Sequence, residues 1–149
     1  MCLAFFGGGC FRCASSSLNG EELVRDGGVQ LLGTLLSRCM CVVQPTAPSN
    51  EPSAVIVTNV MRTFSVLSQF EAARLEMLEF PGLVDDIVHC TELELAPGAV
   101  DAALQTIAHL SVSSELQNAL VKAGILWCVI DAFYYCFAMF NYSAYIIIQ

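Results

Sequence analysis

The chain has 149 residues, a net charge of -8, and a hydrophobic fraction of 56% against 13% charged residues. This length suits a single domain with a substantial core, but the composition is more apolar than the roughly 45–50% of an ordinary soluble domain. The acidic balance repels phosphate backbones and anionic lipid head groups, so we expect no nucleic-acid partner and no contact with an acidic membrane surface.

The eight cysteines would suggest a disulfide scaffold if the chain were secreted. Residues 1–14 are not typical of a signal peptide, because they start without a basic residue and glycines at 7–9 interrupt the apolar run. Most cysteines, such as Cys39, Cys90 and Cys128, fall within apolar helical patterns, where a reduced thiol behaves as a small hydrophobe. We therefore predict a reducing, cytoplasmic environment.

The first part of the chain predicts an irregular leader, residues 1–17, followed by two helices. Asn19 is the predicted N-cap of a short helix, with Glu22 in the capping-box position and Gly27-Gly28 at its end. The second helix follows directly, and one apolar stripe along it predicts a buried face. The stripe consists of Val29, Leu32, Leu36 and Cys39.

A proline-rich segment, residues 44–53, cannot continue a helix or build a core, so it predicts a surface insertion rather than a recognition motif. Three further helices are predicted after it, the middle one short, from Glu71 to Glu79, and ended by Pro81-Gly82. The two helices around the short one carry apolar stripes: Ile56, Val60, Met61, Phe64 and Leu67 in the first, and Leu83, Ile87 and Cys90 in the second.

The last predicted elements begin at Pro97-Gly98. A long helix carries the stripe Val100, Ala103, Leu104, Ile107 and Leu110. Ser114 then predicts the N-cap of a short helix, with Gln117 in the reciprocal position, and this helix stops at Gly124 and restarts at once. Since no stretch shows sustained strand alternation, the predicted class is all-α.

A repeat is indicated by three glycines, Gly28, Gly82 and Gly124, each preceded by a short helix and followed by an apolar residue. They are 54 and 42 residues apart, and the first interval contains the proline-rich segment. The long helices also match, with Thr63 equivalent to Thr106. This unit resembles the armadillo repeat, so residues 18–127 are predicted to form a piece of a right-handed α-solenoid, with a bundle of similar helices as the alternative.

Stacked repeats bury their apolar faces against each other, so fewer than about three units need neighbours or caps. The sequence contains one partial unit and two fuller ones. We therefore expect it to be a piece of a longer solenoid, with neighbouring repeats among its partners.

At the level of individual residues, Leu18 to Trp127 resembles the receptor-mediated endocytosis family of large endosomal J-domain co-chaperones. The segments that carry the resemblance are 19–28, 60–69 and 101–109. It implies a cytoplasmic, endosome-associated scaffold whose partners belong to the endosomal sorting machinery. The J-domain signature His-Pro-Asp is absent, because Cys90 follows His89 and Leu110 follows His109. No ATPase-stimulating or enzymatic activity is therefore expected of this chain.

The family resemblance stops near Trp127, and residues 128–149 form a divergent hydrophobic tail. Asp131 is the only charged residue between Ile125 and Ile148, and this length suits a membrane span of about 20 residues. Asn141, several tyrosines and the lack of a basic flank argue against a span. The alternative function is thus a small tail-anchored membrane protein with a helical docking head. Otherwise no direct membrane contact is expected.

No catalytic, cofactor-binding or metal site is predicted. A zinc or redox site at Cys10, Cys13, Cys39 and Cys41 is disfavoured, because side chains two apart on a helix point to different sides and no strand–helix context surrounds the Cys-x-x-Cys pair. The remaining candidates have simpler explanations as helix, cap or solvated-face residues. They are His89, His109, Asp85, Asp86, Glu92, Glu94, Ser113 and Ser114.

Overall fold

A computed structural model describes residues 17–44, 46, 50–93, 96–128 and 130. These residues form seven α-helices and contain no strand, which confirms the all-α class. A 3-10 turn, Cys90–Glu92, extends the fifth helix, and residues 125–128 are helical again. The helices are α1 Ser17–Arg25, α2 Gly28–Met40, α3 Pro52–Leu67, α4 Glu71–Glu79, α5 Leu83–His89, α6 Pro97–Leu110 and α7 Ser114–Lys122.

The predicted helix caps are only partly correct. Helix α1 begins at Ser17, so Asn19 lies inside the helix and the capping prediction there was wrong. Helix α7 has Ser113 rather than Ser114 at its N-cap, and no side chain bonds that cap. Gln117 instead donates from Nε2 to the carbonyl oxygen of Ser111 over 2.7 Å. The bounds of α4 agree with the prediction, since its end is set locally by Pro81-Gly82.

Three glycines with positive φ separate consecutive helices: Gly27 at 78°, Gly82 at 78° and Gly124 at 90°. The first turning residue is therefore Gly27, and the predicted register at Gly28 was wrong by one position. Each turn needs the left-handed region, which glycine enters without a Cβ penalty. The carbonyl of Gly27 accepts from the amide of Leu31 over 3.2 Å, so the residue that ends α1 also begins α2.

The hydrophobic core confirms most of the predicted stripes. Leu104 is the exception, because 49% of its surface is exposed although it was predicted to share the apolar face of α6. Adjacent residues on a helix are about 100° apart, and α6 buries Ala103 and Thr106 completely, which leaves Leu104 outside. The buried stripe residues are Val29, Leu32, Leu36, Ile56, Val60, Met61, Phe64, Leu67, Leu83, Ile87, Cys90, Ala103 and Leu110.

Equivalent helices pack side by side. The long helix α3 makes its main interface with the long helix α6, and α2 packs on α5, so the helices after the first two turning glycines contact each other. The short helix of one unit also packs on the post-glycine helix of the unit before it, α4 on α2 and α7 on α5. Stacking of this type is what repeated units require to bury their apolar faces. The right-handed armadillo geometry remains a prediction.

Candidate functional site

Buried hydroxyl groups on the two long helices are satisfied by backbone carbonyls of the same helix. Thr63 and Thr106, predicted to be equivalent, are both fully buried. Thr63 donates from Oγ1 to the carbonyl of Asn59 over 2.9 Å, and Thr106 donates to the carbonyl of Ala102 over 2.7 Å. A threonine hydroxyl that bonds four residues back needs no other partner. The equivalence therefore holds in the hydrogen bonds as well as in the sequence.

The C-terminal ends of the long helices are capped from outside in the same way. Arg74 of α4 donates from Nη1 to the carbonyl of Ser68 over 2.9 Å, and Gln117 of α7 donates to the carbonyl of Ser111 over 2.7 Å. Both the donors and the acceptors are 43 residues apart in the sequence. The last carbonyls of a helix lack partners within it, so these contacts fix each short helix on the long one before it.

A side-chain hydrogen bond joins the C-cap of α3, Ser68, to His109 of α6. Oγ of Ser68 and Nδ1 of His109 are 2.8 Å apart, and the same hydroxyl lies 3.1 Å from the carbonyl of Ser65. Ser68 therefore donates to that carbonyl and accepts the Nδ1 proton of His109. A serine beside a histidine can be a nucleophile with its base, but Ser68 is fully buried and no substrate could reach it. The hydrogen bond between Ser68 and His109 instead connects two neighbouring units of the repeat.

This pair was not anticipated from the sequence, where His109 was interpreted as an ordinary helix residue. A signal was present: the two residues are 41 positions apart, close to the 43 that separate Thr63 from Thr106. In a stacked repeat, residues about one period apart lie on neighbouring helices. Polar pairs at that separation are therefore candidates for contacts between units.

An open depression of about 290 Å³ lies between α3 and α6. Gly98 shapes it, because a Cβ at that position would lie 3.2 Å from Nη2 of Arg62. Leu104 is exposed one helical turn from Asp101 on the rim. The depression is lined by Arg62, Ser65, Gly98, Asp101, Ala102 and Gln105. We call this lining, together with the exposed Leu104 on α6, the α3–α6 face.

The α3–α6 face combines donors, an acceptor and an apolar side chain on rigid helices. Arg62 is cationic, Asp101 is anionic, and Gln105 can both donate and accept hydrogen bonds. Mixed chemistry of this type suits contact with a protein surface or an extended peptide better than it suits a small charged ligand.

Cys39 and Cys90, which were predicted to be structural, pack in or against the hydrophobic core. Cys39 is half-buried in the last turn of α2, Cys41 is exposed, and Cys10 and Cys13 lie outside the described residues. Burial raises the pKa of Cys39, and burial together with the charge of Asp86 raises the pKa of Cys90 to about 12. A thiol held protonated is a poor nucleophile. The part of the chain that is described contains no cluster of histidine, cysteine and carboxylate residues suited to a metal ion.

The acidic residues of α5 differ in environment. Asp85 is exposed and its carbonyl lies 2.9 Å from Nδ1 of His89. Partial burial raises the pKa of Asp86, against the opposing effects of a hydrogen bond from Ser37 and the charge of His89. Asp86 thus packs against α2 rather than forming a solvated face with its neighbour. Glu92 is exposed, while Glu94 lies outside the described residues.

None of the helices in the described ranges combines the length and hydrophobicity needed to cross a bilayer. The predicted hydrophobic tail falls almost entirely on residues 131–149, which lie outside those ranges.

The described part of the chain is all-helical, with equivalent helices packed on one another and buried hydroxyl groups hydrogen-bonded to backbone carbonyls. Sequence comparison agrees with the predicted resemblance. Over 118 residues, 79% of the chain, it is 72% identical to "DnaJ homolog subfamily C GRV2" of Arabidopsis thaliana. The chain spans 5% of the length of that relative, so it is similar to one segment of a large DnaJ-type protein.

No family model matches the chain, and no solved structure matches it.

Proposed function

We propose that this chain is a non-catalytic, armadillo-like scaffold segment that binds other proteins and acts in endosome organisation and receptor-mediated endocytosis. Its cellular setting is cytoplasmic and endosome-associated. The observation that carries this proposal is the 72% identity to a segment of a DnaJ homolog. The endosomal part rests on the family resemblance of residues 18–127.

Packing supports a role as a scaffold. The helices that follow Gly27 and Gly82 lie against each other, and the long helices α3 and α6 share the largest interface. Side chains one repeat apart also make equivalent capping contacts, as Arg74 and Gln117 show. Units built in this way present long, rigid surfaces, which are commonly used to bind proteins.

The chemistry of the described residues supports a non-catalytic role. The hydroxyl of Ser68, which contacts His109, is fully buried. The thiol of Cys90 is held protonated, and the sequence contains no His-Pro-Asp motif. An activity that stimulates a partner ATPase would have to reside elsewhere in a DnaJ-type protein.

We place protein binding on the α3–α6 face, and proximity labelling in cells tests both the face and the cellular setting. The full chain is fused to a labelling enzyme and compared with Leu104→Glu, which puts a charge on the face. We expect the parent chain to label proteins of the endosomal sorting machinery above a diffuse cytoplasmic control. Leu104→Glu should lose most of that labelling.

Leu75→Glu is the matched control. Leu75 is 47% exposed against 49% for Leu104, but it lies on α4, which contributes no residue to the face. Circular dichroism must show the same helix content for all three proteins. Labelling that is unchanged by Leu104→Glu would reject the face, and labelling no different from the diffuse control would reject the endosomal role.

The runner-up function is a tail-anchored membrane protein with a helical docking head, which is favoured by the apolar character of residues 128–149. Carbonate extraction of membranes from expressing cells separates the two proposals. Release of the chain into the soluble fraction supports the scaffold, whereas retention in the pellet supports the anchor.

A further inference from the structure

A contact between two sulfur atoms joins the first two units at the end of α2. Sγ of Cys90, in the 3-10 turn that extends α5, donates to Sδ of Met40 over 3.6 Å. Cys90 is fully buried, whereas Met40, the last residue of α2, is half-buried and packs against the core. The thioether of Met40 therefore lies at the border between the interior and solvent.

Met40 differs in accessibility from the other methionines of the described ranges. Met61 and Met77 are both fully buried. Cys41, which directly follows Met40, is exposed at the point where α2 ends. A small solute can therefore approach Met40 from solvent without any opening of the core, and it cannot reach the other two in that way.

The two sulfur atoms of the contact also differ in reactivity. A thioether reacts with a hydroperoxide without first losing a proton, whereas a thiol reacts through its thiolate. Burial, together with the charge of Asp86, raises the pKa of Cys90 to about 12, so this thiol stays protonated at neutral pH. An oxidant that arrives from solvent therefore modifies Met40 rather than Cys90.

We propose that Met40 is an oxidation site for hydroperoxides and that its conversion to the sulfoxide weakens the contact between the first two units. The thioether sulfur attacks one oxygen of hydrogen peroxide and keeps it, the O–O bond breaks, and the other oxygen takes the proton of the first and leaves as water. Sulfur gives up two electrons and the peroxide is reduced. This site is independent of the proposed function, because it acts on a contact within the chain.

The sulfoxide changes the contact because it is polar where the thioether is apolar. A polar group packed against the core costs free energy unless it finds a hydrogen-bond partner, and the neighbouring thiol of Cys90 is only a weak donor. One helical turn back from Met40, Ser37 forms a hydrogen bond with Asp86, which also holds α2 on α5. We therefore expect local loosening at the end of α2 rather than unfolding of the chain.

Peroxide treatment of the purified full-length chain tests the site. Dithiothreitol is added afterwards to return reversibly oxidised cysteines to thiols, which leaves methionine sulfoxide in place. In peptide mass mapping, Met40 should be oxidised at lower peroxide than Met61 or Met77. Amide hydrogen exchange should then rise in the last turn of α2 and in Cys90–Glu92, and the melting temperature should fall by roughly 2–4 °C. Methionine sulfoxide reductases should reverse both changes.

Met40→Leu is the variant that assigns these changes to Met40, because leucine keeps about the same volume without an oxidisable sulfur. The same treatment should leave its melting temperature and hydrogen exchange unchanged. Met77→Leu is the matched control and should keep the response of the parent chain. A response of Met40→Leu equal to that of the parent would reject Met40 as its cause.

Cys90→Ala tests whether the effect depends on the contact between units. Without the thiol, oxidation of Met40 should lower the melting temperature less than it does in the parent chain, and an equal loss would contradict the role of the contact. If Cys90→Ala does not fold, hydrogen exchange of the parent decides. Oxidised Met40 with unchanged exchange at Cys90–Glu92, or oxidation of Met61 and Met77 as readily as Met40, overturns the proposal.

Discussion

The adjacent glycines Gly27 and Gly28 are expected to resist substitution for different physical reasons, and Gly82 provides the control that separates them. Gly27 has φ of 78°, and a Cβ there would meet only the flexible end of Gln30 at 3.2 Å. At Gly28, where φ is not positive, a Cβ would lie 2.5 Å from the carbonyl oxygen of Leu23. Gly82 has φ of 78°, and a Cβ added there would have no neighbouring atom within 4 Å.

The size of each effect follows from these contacts. Alanine in the left-handed region costs about 1–2 kcal/mol, offset by roughly 0.4–1 kcal/mol from a less flexible unfolded chain. Gly82→Ala and Gly27→Ala should therefore each lose about 1 kcal/mol. Gly28→Ala must displace backbone, and overpacking of this type costs about 1–3 kcal/mol. Gly82→Asn should lose less than Gly82→Ala, since asparagine tolerates positive φ.

Urea unfolding followed by far-ultraviolet circular dichroism measures these differences, and thermal unfolding should show shifts of roughly 2–4 °C per kcal/mol for a chain of this size. Gly28→Ala should be the least stable of the alanine variants. If it were as stable as the parent, Gly28 would not be in close packing with Leu23. A Gly82→Asn variant less stable than Gly82→Ala would show that positive φ is not what requires glycine at that turn.

Three further predictions concern the core and the contacts between units. Phe64→Ala should lower the free energy of unfolding by about 3–5 kcal/mol in urea titration, because the ring is fully buried. Leu104→Ala, at an exposed site, should change the free energy of unfolding by less than about 0.5 kcal/mol. Losses of similar size in the two variants would contradict the burial assigned to Phe64 and Leu104. Ser68→Ala should lower the free energy of unfolding by about 1 kcal/mol, and a double-mutant cycle with His109→Ala should give a coupling energy of at least roughly 0.5 kcal/mol. A coupling energy of zero would mean that the hydrogen bond between Ser68 and His109 does not stabilise the contact between units. Burial raises the pKa of Asp86, so its charged form lowers stability at neutral pH and this penalty disappears as the pH falls through the raised pKa. Asp86→Asn should therefore raise the free energy of unfolding at pH 7 by less than about 1 kcal/mol, measured as a higher melting temperature. Below pH 3.8, the ordinary pKa of an aspartate, the substitution should give no gain in stability. A gain that persists below that pH would exclude the charge of Asp86 as its cause.

Much of the candidate surface was not predictable from the sequence. The stripe on α6 placed Leu104 in the core, because adjacent apolar residues at 103 and 104 both satisfy a helical period. Only the packing of α6 in the fold decides between them, and it buries Ala103 while it leaves Leu104 exposed. Likewise, Ser68 and His109 each appear as ordinary helix residues until the two long helices are set against each other.

The sequence by itself determined the all-α class, the bounds of α4, most of the buried stripes and the relation to a DnaJ-type protein, because helix periodicity, proline–glycine punctuation and residue identity are local properties. Tertiary structure decided which of Gly27 and Gly28 makes the first turn, which side of α6 is buried, and which polar side chains join the long helices. These depend on how units stack, since a positive φ, a buried face or a contact across 41 residues exists only once the neighbouring helix is in place.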